Sequence, residues 1–520
     1  MIGNSKIRSV LQKHQWLLAA IVFALCAGPT FISYRPYVFR WDDAGYLGNA
    51  IAVSRALWAS NVHGVAHLRQ IAGAMYSIRP PAMRLLGVPW GSLTSWDAAG
   101  KCFLTLATLI SFFAGFCLFL MARIGVRPIF LVLASMCTFA SLGPIPPSSS
   151  TNRLATSFMA DSLFAWITLA ALLLIAYEAR TQSSSIWRSW LRGILWGLIL
   201  SAGAMTKMDF LYFVAVLVPV LLAIRFRHSG LRAASFALLG LACSSAPAAA
   251  YLLKYGGLAF ANGKESSFGG VAQFYNVPFP QFLWDSVRQS PGLALFLVSV
   301  VTALAYLFVK ERSMLRRPEA FAVLFPMIFA VIVLASANRQ IRYSFPVIVA
   351  LPFLLAVILS GEGISIPPKP ALLASGLVFS ALALAALPTM GRAQRQASLS
   401  RADSVLAEAV KCNDRKILLA TDSPTLNEPL LVLSNQVASV APTIAIRSLT
   451  YSAMSDVLID VDFRTIQDSD LVVFQDDSAL SPPFTNERVA EYRRFIHQQN
   501  NYIRVKLGGE VTAFVRQCRL

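Results

Sequence analysis

The sequence predicts a polytopic α-helical membrane protein with a small soluble α/β domain at its C-terminus. Three observations lead there. Of 520 residues, 56% are hydrophobic, the mean hydropathy is positive, and both exceed what soluble domains show. Apolar runs recur at close to the roughly 20 residues that a helix needs to cross a bilayer. The composition then changes sharply near residue 391: residues 1–391 carry eleven acidic against thirty basic side chains, whereas 392–520 carry fifteen of each.

Eleven spans are expected, at about 15–33, 102–122, 128–143, 157–177, 189–205, 209–225, 233–252, 291–309, 320–337, 343–361 and 370–389. Uninterrupted apolar runs of this length read as helices rather than barrel strands. The first is long for a signal peptide and runs into an aromatic, Arg-rich stretch instead of a cleavage site, so it reads as retained. With the N-terminus in the cytoplasm, the inside loops hold Lys6, Arg8, Lys13, Arg123, Arg127, Arg180, Arg188, Arg192, Arg225, Arg227, Arg232, Lys310, Arg312, Arg316, Arg317 and Lys369. The short outside loops hold only Arg153, Lys207, Arg339 and Arg342. That is the positive-inside asymmetry, and an odd number of spans places the tail outside. The net charge of +19 therefore belongs to the membrane half. It reads as topology and attraction to lipid headgroups, not as nucleic-acid binding.

Between the spans lie a first outside loop, 34–101, and a second, 253–290. In the first, Tyr46–Trp58 and Val65–Tyr76 have the apolar spacing of interfacial helices. The second is rich in Gly, aromatic residues and Pro, as lids and binding loops are. In the tail, Lys416–Ala420 and Leu471–Phe474 read as buried strands, Arg401–Val410 and Asn486–Gln498 as amphipathic helices. Tyr502–Lys506 and Val511–Val515 read as a hairpin joined at Gly508 and Gly509. No Gly-rich phosphate loop or nucleophile elbow occurs there, so the tail reads as a cap. Cys26, Cys102, Cys117, Cys137 and Cys243 lie in or beside apolar runs and read as small core residues. Cys412 and Cys518 share the tail, where a disulfide between them is open. No Asn-X-Ser/Thr sequon is present, in keeping with a bacterial inner membrane.

Four places carry candidate chemistry. Asp42 and Asp43, in Trp41-Asp42-Asp43-Ala44-Gly45-Tyr46, form a like-charged pair in an acid-poor region, and such a pair must be matched by a cation, a proton or a metal. On a helix, Asp42 and Tyr46 share a face, and a carboxylate beside an acceptor hydroxyl can take its proton. Asp161 sits at the outer end of the fourth expected span, where ionisable groups are functional by default; the plainer reading is an interfacial Asp facing water, or one paired with Arg153. Lys207 and Asp209 occupy a tight turn, which they either simply close or use to hold phosphate by point charge. Arg342 and Tyr343 precede Pro346 at the mouth of another span. Arg can hold a phosphate through paired hydrogen bonds, or it can snorkel with Tyr as a belt residue. Together these residues form a site for an anionic lipid headgroup and a reacting hydroxyl, all on one face.

In these residues the chain resembles the C-class (GT-C) integral-membrane glycosyltransferases, with protein O-mannosyltransferases and bacterial lipid A aminoarabinose transferases the nearest groups. The family's first-loop motif is an Asp-Glu pair, two intervening residues and then Tyr; here it reads Asp42-Asp43-Ala44-Gly45-Tyr46, with Asp for Glu. The resemblance covers the layout of most of 1–390 and specific residues at four short places. It implies that Asp42 takes the place of the catalytic carboxylate and Asp43 the second acidic place. It further implies that Asp161 and Lys207 match an acidic residue and a turn Lys of the family, and that Arg342 and Tyr343, with Pro346, match the donor-phosphate contact. Arg79, Arg84 and Arg339 are further candidates for the phosphate.

The activity so implied is inverting transfer of a sugar from a polyprenyl-phosphate donor to an acceptor hydroxyl, outside the membrane, on a glycan, lipid or protein. Membrane lipids are the other expected partner. Some relatives depend on metal and some do not, so a divalent metal ion is an open cofactor; His63 and His67, at i and i+4, are the nearest ligand pair, or plain interfacial histidines. Two other classes compete: a flippase for polyprenyl-linked glycans, which needs polar groups through the membrane, and a non-catalytic subunit of an envelope-glycan assembly.

Overall fold

The computed structural model describes residues 19, 21–23, 41–59, 63–75, 80–91, 96–142, 160–181, 185–268, 276–289, 291–310, 312–361, 397–423, 426–438, 444–449, 458–475, 488–508 and 511–516. Helices α1 (Trp41–Leu57), α2 (Gly64–Met75) and the short α3 (Ala82–Leu85) form the first expected loop. The bundle follows: α4 (Trp96–Ile124), α5 (Pro128–Leu142), α6 (Ala160–Arg180), α7 (Ile186–Thr206), α8 (Phe210–Phe268), α9 (Phe279–Gln289), α10 (Pro291–Val309), α11 (Pro318–Ala335) and α12 (Phe345–Leu359). Pro128, Pro291 and Pro318 open their helices, where a missing N–H is harmless.

Helices cover nine of the eleven expected spans. Among the described residues, six are long and apolar enough to cross a membrane: Ala99–Ile124, Ala160–Arg180, Phe210–Leu258, Gly292–Val309, Pro318–Ala335 and Arg342–Leu359. The chain is a multi-pass membrane protein. The expected 209–225 and 233–252 spans form the single element α8, broken where Gly230 adopts φ 79°, a conformation glycine takes without strain. The stretch at 128–143 makes only the short α5. Most of 15–33 and all of 370–389 lie outside the described residues.

α6 is the hub: 94% of its apolar stretch is buried inside the protein, against 22% for α10 and 33% for α11, whose outward faces the described residues leave uncovered. Phe23 packs beside it, with ring centres 5.4 Å from Phe139, 6.3 Å from Trp166 and 6.0 Å from Phe353. α7 and the second half of α8 approach backbone to backbone. A Cβ on Gly193 would stand 1.9 Å from the Ala237 carbonyl oxygen, and one on Gly240 2.3 Å from that of Trp190. With Gly197 four residues after Gly193, this is the small-residue seam of membrane helices.

Two expectations are corrected. α1 is not an interfacial helix: Leu47, Ala50, Ile51 and Val53 are fully buried. An apolar face at helical spacing fits a protein core as well as a membrane surface, and other parts of the protein cover this one. The 253–290 stretch is largely helical, since α8 runs through Gly256 and Gly257 to Phe268 and α9 follows. Two glycines cost a helix only about 2 kcal/mol against alanine. By contrast α2 buries none of its residues and leaves Val65 and Leu68 exposed, as an interfacial helix does.

The tail comprises α13 (Ala397–Lys411), β1 (Lys416–Leu419), α14 (Glu428–Ala438), β2 (Ala445–Ser448), α15 (Ile459–Gln467), β3 (Leu471–Gln475), α16 (Val489–His497), β4 (Tyr502–Lys506) and β5 (Val511–Arg516). The sheet order is β2-β1-β3-β5-β4. β1 pairs in parallel with β2 and β3, whereas β5 runs antiparallel to β3 and β4. The inner strands are buried along nearly their whole length and the edge strands β2 and β4 are half exposed, as layers of helices on a mixed sheet require. The expected strands, helices and closing hairpin all form, with Gly508 in the turn at φ 97°. Cys412 is disulfide-bonded, while Cys102, Cys117, Cys137 and Cys243 are free; Cys518 lies outside the described residues.

The tail rests on the first loop. α14 packs against α1, and Leu430, Leu433 and Val437 of α14 belong to the same continuous core as Leu47 and Ile51 of α1.

Candidate active site

The site begins with the turn between α7 and α8. α7 ends at Thr206, and Lys207 is extended, its N–H donating 3.0 Å to the Gly203 carbonyl. This lifts the lysine side chain off the helix and toward the first turn of α6. There its Nζ donates 2.7 Å to Asp161 Oδ1 and stands 3.5 Å from Asp209 Oδ2. Asp161 is buried. Below the ammonium lie the rings of Tyr343, 4.5 Å to its centre, and Phe164, 5.6 Å. Phe164 follows Asp161 by three residues and so shares its face of α6.

A short 3-10 turn, Ile341–Ser344, brings in the next pair. Arg342 Nη2 donates 3.2 Å to the Tyr343 hydroxyl, with its guanidinium carbon 5.0 Å from the ring centre. Tyr343 is thus flanked by two cations. Burial alone would lower the Lys207 ammonium, but Asp161, Asp209 and Tyr343 outweigh burial and raise it. The lysine therefore stays charged through the physiological range and acts as a fixed cation, not a base.

The opposite end of α6 carries a separate set of ion pairs. Glu178 Oε2 accepts from Arg192 at 2.9 Å and lies 3.8 Å from Arg225, and Arg180 meets Glu319 at 2.7 Å. Asp161 and Glu178 are seventeen residues apart, about 26 Å along a helix, so the two charge clusters occupy opposite ends of the bundle. Between them the polar side chains of α6 are Ser162 and Thr168, with Tyr177 half-buried beside Glu178, in an otherwise apolar buried run.

The structure therefore brings together Asp161, Lys207, Arg342 and Tyr343 from three separate expected places. Asp42 and Asp43 lie in the first turn of α1, whose helical backbone places Asp42 four residues before Tyr46 on one face; their side chains lie outside the described residues. Tyr46 is half-buried and packs against the core. It and Arg84 both lie within electrostatic reach of Tyr251, which is fully buried in α8. Arg79 lies outside the described residues. Two other candidate arginines are engaged elsewhere. Arg84 is buried and its Nη1 donates 2.9 Å to the Ala74 carbonyl, tying α3 to α2. Arg339 donates 3.0 Å to the Leu334 carbonyl and 3.0 Å to Asn276 Oδ1, and also to the Val277 carbonyl, tying the approach to α9 onto the end of α11.

His63 is exposed just before α2 and His67 lies within it, its Nε2 2.8 Å from the Ala56 carbonyl oxygen. Among the described residues no group of three His, Cys, Asp or Glu side chains is gathered as a metal site. Sequence reasoning missed Phe164 as a wall of the cation pocket. Its spacing from Asp161 was the available signal. It also missed Tyr251, which no local pattern distinguishes from the other apolar residues of α8.

No family model matches the chain, and no curated protein matches it. Two solved structures are similar to it. The crystal structure of ArnT from Cupriavidus metallidurans in the apo state aligns at a TM-score of 0.48 and 14% identity, covering 96% of this chain and 97% of that one. The crystal structure of the same ArnT bound to undecaprenyl phosphate aligns at a TM-score of 0.52 and 12% identity, covering 96% of this chain and 98% of that one. At such low identity the likeness is one of architecture, and end to end this chain has the fold of ArnT.

Proposed function

We propose that this protein is a glycosyltransferase of the membrane, moving a sugar from a polyprenyl-phosphate donor to an acceptor hydroxyl on the extracytoplasmic side, with inversion. The observation that carries this reading is the meeting of Lys207, Arg342, Asp161 and Tyr343 at one end of the bundle. That end sits in a fold shared with a protein whose crystal structure holds undecaprenyl phosphate. In this reading Lys207 and Arg342, with Arg79, hold the donor phosphate as it leaves, where preorganised cations act most strongly on the developing charge. Asp42, on the helix face of Tyr46, takes the proton of the attacking hydroxyl. Asp43 and Asp161 bind acceptor or sugar, and Tyr343 and Tyr46 line the cleft. The sugar and the acceptor class, whether glycan, lipid or protein, are what the test must supply.

A fixed cation pair suits departure of a phosphate, because the leaving group needs charge compensation rather than a proton. The apolar interior of α6 weighs against a flippase, which needs a polar path between the two ends. The disulfide at Cys412 favours an oxidising compartment for the tail.

The test is transfer in vesicles from a defined polyprenyl-phosphate sugar. Asp42→Asn keeps the shape and removes the base, so its rate should fall by about 10²–10⁴ while donor binding is unchanged. Full transfer by that variant would remove Asp42 from the mechanism.

A further inference from the structure

The helix that carries Asp42 and Asp43 is held from outside the bundle. At its C-terminal turn, Arg55 Nη2 donates to the carbonyl oxygen of Gln436, in the last turn of α14. Carbonyls at a helix end have no partner within the helix, and a cation there also meets the negative end of the helix dipole. One and two turns earlier on the same face of α1 stand Ile51, fully buried, and Gly48. A Cβ on Gly48 would lie 2.9 Å from Gln436 Oε1, so the glycine lets the tail side chain lie against the helix. Ala44, again buried, continues that face toward the carboxylate turn. α14 is itself anchored, because Ser434 Oγ donates 2.5 Å to Asp403 Oδ1 of α13.

An adjoining side of α1 is fixed too. Trp58 Nε1, just past its end, donates 3.1 Å to the Val88 carbonyl, and Ser54 Oγ donates to the Gly91 carbonyl. A Cβ on Gly87 would stand 1.7 Å from the Ala50 carbonyl oxygen. α1 is thus wedged between the 82–91 segment and the tail.

We infer that the tail domain is a clamp on α1, and that Arg55, through Gln436, is a positioning residue that sets where Asp42 and Asp43 stand relative to the Lys207–Arg342 cations. The role in transfer rests on the glycosyltransferase reading above; the mechanical role does not. Arg55 is in the last turn of a helix whose first turn holds the carboxylates, so it touches no substrate. A rotation or slide of α1 by a fraction of a turn would move both carboxylates together. Misplacement by about 1 Å can lower a rate roughly a hundredfold.

The experiment uses the full chain in lipid nanodiscs, as wild type, Arg55→Ala and Arg55→Lys. Two readouts are taken: amide hydrogen exchange across α1, and steady-state transfer from a polyprenyl-phosphate sugar. In Arg55→Ala, exchange across residues 44–50 should rise about tenfold, as local opening becomes easier, with the sheet β1–β3 and α6 unchanged. The kcat should fall about tenfold with the donor KM within twofold of wild type, because the phosphate cations are untouched. Arg55→Lys, which still offers a charged donor, should recover most of both. Exchange in α1 at the wild-type level, or a loss of kcat matched by a general loss of protection through the tail and bundle, overturns the clamp. A wild-type protein that transfers no sugar from any such donor overturns the glycosyltransferase reading instead, while the exchange data still judge the clamp.

Discussion

Lys207 Nζ and Asp161 Oδ1 are 2.7 Å apart, joining the turn after α7 to the first turn of α6. The carboxylate is buried and the ammonium largely so, so neither is readily rehydrated if its partner is removed. Replacing Lys207 by Met should therefore destabilise the protein by roughly 3 kcal/mol, the usual penalty for an orphaned buried charge. Adding Asp161→Asn should restore most of that stability and none of the transfer. Thermal unfolding in detergent, compared with transfer rates for the two variants, checks both halves.

Arg342 differs from Lys207 in its chemistry. Its planar guanidinium lies beside the Tyr343 ring and donates to the Tyr343 hydroxyl, so its fork is oriented before any ligand arrives. Arg342→Lys keeps the charge but loses the paired geometry. The kcat/KM for the donor should fall about tenfold, equivalent to one charged hydrogen bond, with kcat sharing the loss because the contact strengthens as the phosphate leaves. Equal kcat/KM values for the two proteins would show that the guanidinium does not meet the donor.

Gly87 and Gly73 provide a matched pair of substitutions. A Cβ at Gly87 would collide with the backbone of α1 at Ala50, whereas one at Gly73 meets nothing within 4 Å. Gly87→Ala should lose about 1–3 kcal/mol and lower transfer by moving α1. Gly73→Ala, on an open helix face, should be neutral or slightly stabilising. Melting temperatures of the two variants test the difference.

The tail carries its own pH signature. Asp414 is buried, its Oδ2 has no hydrogen-bond partner among the described residues, and burial, with help from Asp470 and Glu408 and against Arg516, pushes it up to about 6. The folded state thus keeps a proton that the unfolded chain releases near pH 4. Between those two values folding takes up a proton, so stability from this group is fully present below about pH 4 and is lost as pH rises through about 6. Asp414→Asn should flatten that decline and be more stable than wild type at pH 7.5. Hydrogen exchange of β1 and β3 at pH-matched intrinsic rates would reveal it. An identical pH profile for the two proteins would place the proton elsewhere.

Much of this arrangement was legible in the sequence because its signals are local. Apolar runs located the bundle helices, the hairpin announced itself through Gly508, and Asp161, Lys207, Arg342 and Tyr343 stood out as polar groups at the ends of apolar stretches. Their mutual contact was not foreseeable, because helix ends on one face of a bundle need not be neighbours: Arg339, three residues before Arg342, turns to Leu334 and Asn276 instead. The burial of α1 was not legible. Its apolar spacing shows that one face seeks cover, but the cover comes from α14, nearly 400 residues later, with no matching pattern between them. The helical course of α8 past Gly256 and Gly257 was hidden because glycine counts only weakly against a helix whose other residues favour it.

The mooring of α1 has a consequence for how surrounding lipid acts on the protein. Asp161 and Arg342 ride on the ends of α6 and α12, which answer to the thickness of the hydrocarbon layer by tilting. In the reading that puts the tail outside the membrane, the helix bearing Asp42 and Asp43 is tied chiefly to parts beyond that layer. Thinner or thicker acyl chains should then shift Asp161 and Arg342 while leaving Asp42 and Asp43 in place, which would make lipid chain length a dial on the gap between them.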